Sequence, residues 1–107
     1  MEISQYQIIL VNLDPTLGSE IKKTRPCVVI SPDEMNKYLN TVVIAPMTTG
    51  SKNYPTRIEV KHDSKTGWIV LDQIRTIDKQ RIIKDLGRLT KSEIIVLKSV
   101  LKETYID

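Results

Sequence analysis

The chain has 107 residues, 40% hydrophobic and 27% charged, which fits one globular domain over residues 1–107 and excludes a disordered chain. A net charge of +3 with a pI near 9.0 favours an anionic partner, though weakly. No apolar run approaches the ~20 residues of a membrane helix, and no basic stretch precedes an apolar core as in a secretory leader, so no membrane partner is expected and the expected location is cytoplasmic.

In chain order, the first ninety residues predict short strands separated by turn chemistry. Residues 6–13 are β-rich and stop at Asp14-Pro15. A polar loop follows over residues 16–24. Residues 26–30 predict a second strand, with Pro26 at its first position, where no ladder donor is needed. Ser31-Pro32 then predicts a short helical turn with Ser31 as N-cap and Pro32 at the first helical position. Residues 41–47 form a nearly continuous apolar run, expected to be buried on both faces. Residues 57–61 alternate, with Ile58 and Val60 inward. Gly67 opens a strand through Leu71 that is expected to continue towards Ile77. Residues 81–86 predict one more strand.

The tail changes period. Thr90-Lys91-Ser92-Glu93 is a capping box. Ile94, Leu97, Leu101 and Tyr105 follow at helical spacing, with Ile95 and Val100 widening the stripe. Short antiparallel strands with one amphipathic helix predict a small closed barrel without open edges.

Several chemistries drop out. His62 is the single histidine, so an acid–base pair of imidazoles is excluded, and its polar surroundings predict a solvated turn. One histidine and one cysteine do not make a Cys/His zinc site. Cys27 lies in the run Cys27-Val28-Val29-Ile30 and is expected as a small buried residue, not a reactive thiol. Gly18, Gly50, Gly67 and Gly87 are scattered and form no phosphate-cradling motif. No metal and no cofactor are expected.

The remaining chemistry sits in loops. Gly18-Ser19-Glu20-Ile21-Lys22-Lys23-Thr24-Arg25-Pro26 carries a carboxylate, two lysines and an arginine at a strand mouth, and a guanidinium suits a phosphate oxygen pair. Thr48-Thr49-Gly50-Ser51-Lys52-Asn53-Tyr54 offers hydroxyls for phosphate oxygens, a lysine to neutralise phosphate and a ring to stack a base. Asp72-Gln73-Ile74-Arg75 places Gln73 and Arg75 on one face if the strand continues. Taken singly, each stretch is more commonly a solvated surface.

Together these segments resemble the MazF/PemK family of toxin endoribonucleases. The resemblance runs through Leu13-Asp14-Pro15, Gly18-Ser19-Glu20 and Arg25-Pro26-Cys27-Val28-Val29-Ile30-Ser31-Pro32. It continues through Ala45-Pro46-Met47-Thr48-Thr49, Ser51-Lys52, Tyr54-Pro55 and Leu71-Asp72-Gln73-Ile74-Arg75-Thr76-Ile77-Asp78. Four anchors in order are specific where any one would be weak.

The resemblance implies a mainly β fold with a C-terminal helix, an SH3-like barrel of the CcdB/PemK type. It implies a homodimer that cleaves single-stranded RNA and a cognate antitoxin whose acidic C-terminal segment fills the same groove. Arg25 and Thr48 fall on the family's catalytic pair. Glu20 is the better proton acceptor on physical grounds, because an arginine with a reference pKa above ~12 is a poor base. Lys22, Lys23, Lys52, Tyr54, Asp72, Gln73 and Arg75 are the expected RNA-binding residues. The lysine-rich stretch between Glu20 and Arg25 departs from relatives that carry glycine or glutamine there, which bears on RNA preference. A non-catalytic barrel that binds nucleic acid or an acidic peptide stays open, as does a gyrase poison of the CcdB type, since fold alone does not fix function.

Overall fold

The computed structural model describes residues 1–62 and 64–106. Seven strands carry the fold: β1 (Gln7–Asn12), β2 (Thr24–Val29), β3 (Thr41–Thr48), β4 (Arg57–His62), β5 (Lys65–Val70), β6 (Arg75–Asp78) and β7 (Ile82–Arg88). Two helices complete it, α1 (Asp33–Tyr38) and α2 (Lys91–Tyr105). His62, expected in a solvated turn, instead ends β4 opposite Lys65 of β5, and Asp63 lies outside the described residues.

All pairings are antiparallel, in the order β4-β5-β3-β2-β1-β7, with β6 on β3. The sheet is open: β4 and β7 end the path and do not pair with each other, so the closed barrel expected from sequence is not formed. The reason lies in the core. Successive strand residues point to opposite faces, and here both faces of the central strands are buried. Ile8, Val28 and Ala45 join one cluster with Met47, Ile58, Ile69 and Leu97. Their neighbours Ile9, Cys27, Val29 and Ile44 join a second with Val11, Leu13, Val42 and Ile77. A closed barrel of this size has one interior, whereas this sheet curls around two.

Strand β3 makes that possible. Its first half, Thr41 to Ile44, pairs with β6, while Met47 and Thr48 pair with β5. Its burial on both faces is as expected from Ile44 to Met47, although Val43 is only half-buried. Pro26 is not the first residue of its strand as expected: it is third in β2, opposite Leu10 of β1 and just ahead of the β2–β3 ladder that begins at Cys27.

Helix α2 packs on the first cluster through fully buried Leu97, with Ile94, Val100 and Leu101 around it. Burying one such leucine contributes roughly 2 kcal/mol. The capping box is present: Glu93 N donates to Thr90 Oγ1 at 3.2 Å and Thr90 N to Glu93 Oε1 at 2.8 Å. Ile95 does not widen the apolar stripe; it is 68% exposed.

Two local expectations give way to tertiary bonds. Ser31 does not cap α1, whose N-cap is Pro32; Ser31 Oγ instead donates to Asn36 Oδ1 at 2.5 Å and accepts from Val43 N at 3.0 Å. The strand expected to run through Leu71 towards Ile77 is interrupted by a 3₁₀ turn, Leu71–Gln73. Leu71 is fully buried, and its amide donates to Thr56 O at 3.1 Å, the last bond in register with the β4–β5 ladder before the turn.

Candidate active site

Two loops bear on the site. The first, residues 13–23, joins β1 to β2; the second, residues 49–56, joins β3 to β4. Arg25 leaves the mouth of β2 and Thr48 ends β3, so the sheet itself brings them together. Arg25 Nη1 donates to Thr48 Oγ1 at 3.5 Å, and Arg25 Nε donates to Lys22 O at 2.9 Å. Thr48 Oγ1 also lies 3.4 Å from both Gly50 O and Gly50 N. A small, mostly apolar hollow of about 140 Å³ adjoins the pair, walled by Pro26, Met47 and Gly67.

Beside it lies an open cleft of about 500 Å³, lined by Leu17, Ser19, Glu20, Ile21, Pro46 and residues 72–75. Glu20 is exposed on this cleft and is not joined to Arg25. Its Oε1 accepts from Leu17 N at 2.5 Å, folding the carboxylate back on its own loop. Lys22, Lys23 and Lys52 are exposed. Lys23 has φ 74, in the left-handed region, and its amide donates to Asp14 Oδ1 at 3.2 Å. The loop therefore turns sharply at Lys23 before entering β2.

Asp72 and Gln73 are both engaged within the protein. Arg57 grips Asp72 at two points, Nε to Oδ1 at 3.1 Å and Nη2 to Oδ2 at 3.2 Å, and Thr56 Oγ1 donates to Asp72 Oδ1 at 2.9 Å. The hydrogen bonds from Arg57 hold the Asp72 carboxyl below its ordinary range, with Thr56 adding to the effect. Gln73 Oε1 accepts from Ile21 N at 2.7 Å, and its Nε2 donates to Ser19 O at 3.3 Å. Gln73 lies in the 3₁₀ turn and Arg75 in β6, so they do not share the face of one strand. Half-buried Arg75 donates from Nη1 to Leu13 O at 3.1 Å.

Arg57 was not singled out in the sequence. Besides gripping Asp72, it donates to Ser51 Oγ at 3.0 Å and lies 4.7 Å from the ring centre of Tyr54, which remains 46% exposed. The only local signal was a charged residue at an outward position of an alternating strand. Cys27 is fully buried, and burial pushes its thiol up to about 12 against the opposing pull of Arg75 and Arg25, so it is inert. Among the described residues, no three of His, Cys, Asp and Glu cluster as metal ligands.

Arg25 and Thr48 thus converge at adjoining ends of β2 and β3, beside an open cleft that carries Glu20, Asp72 and Arg75. Residues 4–105 match the family described as PemK-like, MazF-like toxin of type II toxin-antitoxin system. Endoribonuclease MazF of Staphylococcus epidermidis is 36% identical over 105 residues, covering 92% of this chain and 88% of that protein. The crystal structure of MazF from Deinococcus radiodurans has a TM-score of 0.86 at 21% identity, over 97% of this chain and 96% of that one. An endoribonuclease from a mycobacterial species, solved in complex with its cognate antitoxin, has a TM-score of 0.80 at 20% identity, over 94% of this chain and 92% of its own. The chain belongs to the PemK-like, MazF-like toxin family of type II toxin–antitoxin systems.

Proposed function

We propose that this chain is a toxin endoribonuclease that cuts single-stranded RNA, mRNA included, at particular sequences and without a metal. The observation that carries this reading is the convergence of Arg25 and Thr48 at 3.5 Å, in a chain 36% identical to an endoribonuclease.

In the proposed reaction the ribose 2′-oxygen attacks the adjacent phosphorus. The bond to the 5′-oxygen breaks, leaving a 2′,3′-cyclic phosphate and a 5′-hydroxyl. Negative charge builds on the phosphoryl oxygens, and Arg25 is placed to stabilise it with a charged, planar donor. Thr48 donates to a non-bridging or leaving oxygen. The 2′ proton needs an acceptor. Of the two carboxylates lining the cleft, Asp72 is held by Arg57 and Thr56, which leaves Glu20. Glu20 must first release the Leu17 amide and swing towards Arg25. Catalytic hydrogen bonds often tighten only once substrate is bound.

Lys22, Lys23 and Lys52 would neutralise phosphates along the strand, and the exposed ring of Tyr54 would stack a base. The same cleft would accept the acidic C-terminal segment of a cognate antitoxin, by charge complementarity with these lysines. The mycobacterial relative solved with its antitoxin supports such a partner. The family resemblance also supports a homodimer acting on mRNA in the cytoplasm.

The test is cleavage of a mixed-sequence single-stranded RNA in excess EDTA by the wild-type chain and by Arg25→Ala, with the product ends mapped. Expected are discrete fragments with cyclic-phosphate and 5′-hydroxyl ends, formed ~10²-fold or more slowly by the variant, the scale of losing one transition-state donor. RNA left intact across several long substrates, or cut at full rate by the variant, overturns the reading.

A further inference from the structure

Gln73 lines the cleft and uses both ends of its side-chain amide, and neither bond is local. Its amide oxygen accepts from Ile21 N at 2.7 Å, and its amide nitrogen donates to Ser19 O at 3.3 Å. One side chain thus pairs with residues 19 and 21 much as a neighbouring strand would. The residue between them is Glu20. The residue after Ile21 is Lys22, whose carbonyl receives Arg25 Nε at 2.9 Å, and Arg25 then reaches Thr48. The path from Gln73 to the guanidinium therefore runs through a short piece of backbone and a single hydrogen bond.

The support under Gln73 is rigid. Its 3₁₀ turn begins at fully buried Leu71, whose amide bonds Thr56 O and whose carbonyl receives the Tyr105 hydroxyl from α2. The other support of the stretch it holds is the half-buried Ile21 side chain, packed against the second core cluster. Backbone bonds fix Lys23 to Leu13, downstream of Lys22, while the Leu17–Glu20 contacts stay within the loop. An arginine has many rotamers, and an unanchored guanidinium samples them all. Anchoring Nε leaves the terminal nitrogens aimed at one place.

We propose that Gln73 is a positioning residue for Arg25: its amide splints the backbone of residues 19–21, so that the Lys22 carbonyl holds the guanidinium towards Thr48. The role replaces direct reading of RNA by Gln73, and its kinetic consequence rests on the endoribonuclease reading above.

Two variants test it. Gln73→Met keeps the volume and removes both bonds. Gln73→Glu keeps an acceptor for Ile21 N, the shorter of the two. Expected for Gln73→Met is a ~10- to 10²-fold fall in kcat, the scale of misplacing a catalytic group by about 1 Å, with KM and the cleavage sequence unchanged. Gln73→Glu should recover most of the loss, and both variants should melt close to wild type.

A second readout needs no catalysis. In RNA-free protein labelled with ¹⁵N, the Arg25 Nε–H signal should exchange slowly in the wild type, be lost to exchange in Gln73→Met and return in Gln73→Glu. If the wild type cuts no RNA, the endoribonuclease reading fails while the Nε signal still decides the splint. An Arg25 Nε–H equally protected in Gln73→Met overturns the proposal. So does a Gln73→Met enzyme with normal kcat but raised KM or altered cleavage sequence, which would make Gln73 a reader of RNA.

Discussion

The loop that precedes β2 and the loop that follows β3 are fastened to the same turn by different chemistry. The first hangs from Gln73 through neutral amide bonds to its backbone. The second is tied to Asp72 by an ion pair, with Arg57 gripping the carboxylate, the Ser51 hydroxyl and the Tyr54 ring together. Asp72 retains 34% of its side-chain exposure and Arg57 20%, so water and salt reach the second tie. The contrast follows what each loop carries. Glu20 and the carbonyl that aims Arg25 lie on the first, where small displacements matter to a reaction. Lys52 and Tyr54 lie on the second, where phosphate neutralisation and stacking tolerate looser geometry. Directional bonds hold the proposed chemistry, and charge holds the proposed grip on the polymer.

The sharpest way to break this division is Glu20→Gln. On the proposed mechanism it should lower kcat by ~10²-fold or more, the contribution of a positioned acid–base group, while KM for RNA moves little. Initial rates against RNA concentration measure both. An unchanged kcat would remove Glu20 as the proton acceptor and strip the first loop of half its proposed chemistry.

A smaller effect, of opposite kind, is expected from Arg57→Met. A partly exposed ion pair contributes about 1 kcal/mol or less. Loosening the second loop should therefore raise KM by roughly fivefold at most, the equivalent of that energy, with kcat near wild type. Faster proteolysis within residues 49–56 should accompany it. A kcat loss on the scale of Arg25→Ala would mean that the second loop takes part in the chemistry after all.

Much of the framework was legible because its signals are local. The capping box needs only Thr90 and Glu93, three positions apart, and the inward pair Ile58 and Val60 follows from strand period alone. The turn at Leu71–Gln73 was hidden because Leu71-Asp72-Gln73-Ile74-Arg75 alternates like a strand. What the turn serves is the grip of Arg57 and Thr56 on Asp72 and the bonds of Gln73 to residues 19 and 21, all beyond the reach of a periodicity argument. Ser31 reads as a cap until Asn36 and Val43 compete for its hydroxyl. The open sheet has the same origin. Strand patterns show that residues alternate, but not that both faces of β1, β2 and β3 will find apolar cover. At the site, family resemblance drew attention to Arg25, Thr48, Glu20, Asp72 and Gln73. It left open that Asp72 and Gln73 are occupied within the protein, because that depends on partners far away in sequence.

Acid should separate the two ties. The Asp72 carboxyl is held below its ordinary range chiefly by the hydrogen bonds from Arg57. A carboxyl depressed in the folded state contributes stability that is fully present above its unfolded value, ~3.9, and is lost as pH falls through the folded value. The second loop should therefore stay fastened at neutral pH and loosen only below pH ~4. Gln73 does not titrate. The first loop's carboxylates, Asp14 and Glu20, accept bonds from amides and a hydroxyl and, among the described residues, pair with no charged side chain. Two NMR signals followed through an acid titration read the ties separately: Arg57 Nε–H for the second loop and the Ile21 amide for the first. Expected is loss of Arg57 Nε–H protection below pH ~4 while the Ile21 amide stays protected. In Asp72→Asn the Arg57 signal should already be unprotected at neutral pH, with Ile21 unchanged. If both signals vanish at one pH in the wild type, the loops open as a single unit and the distinction between a neutral and a charged tie has no consequence for the cleft.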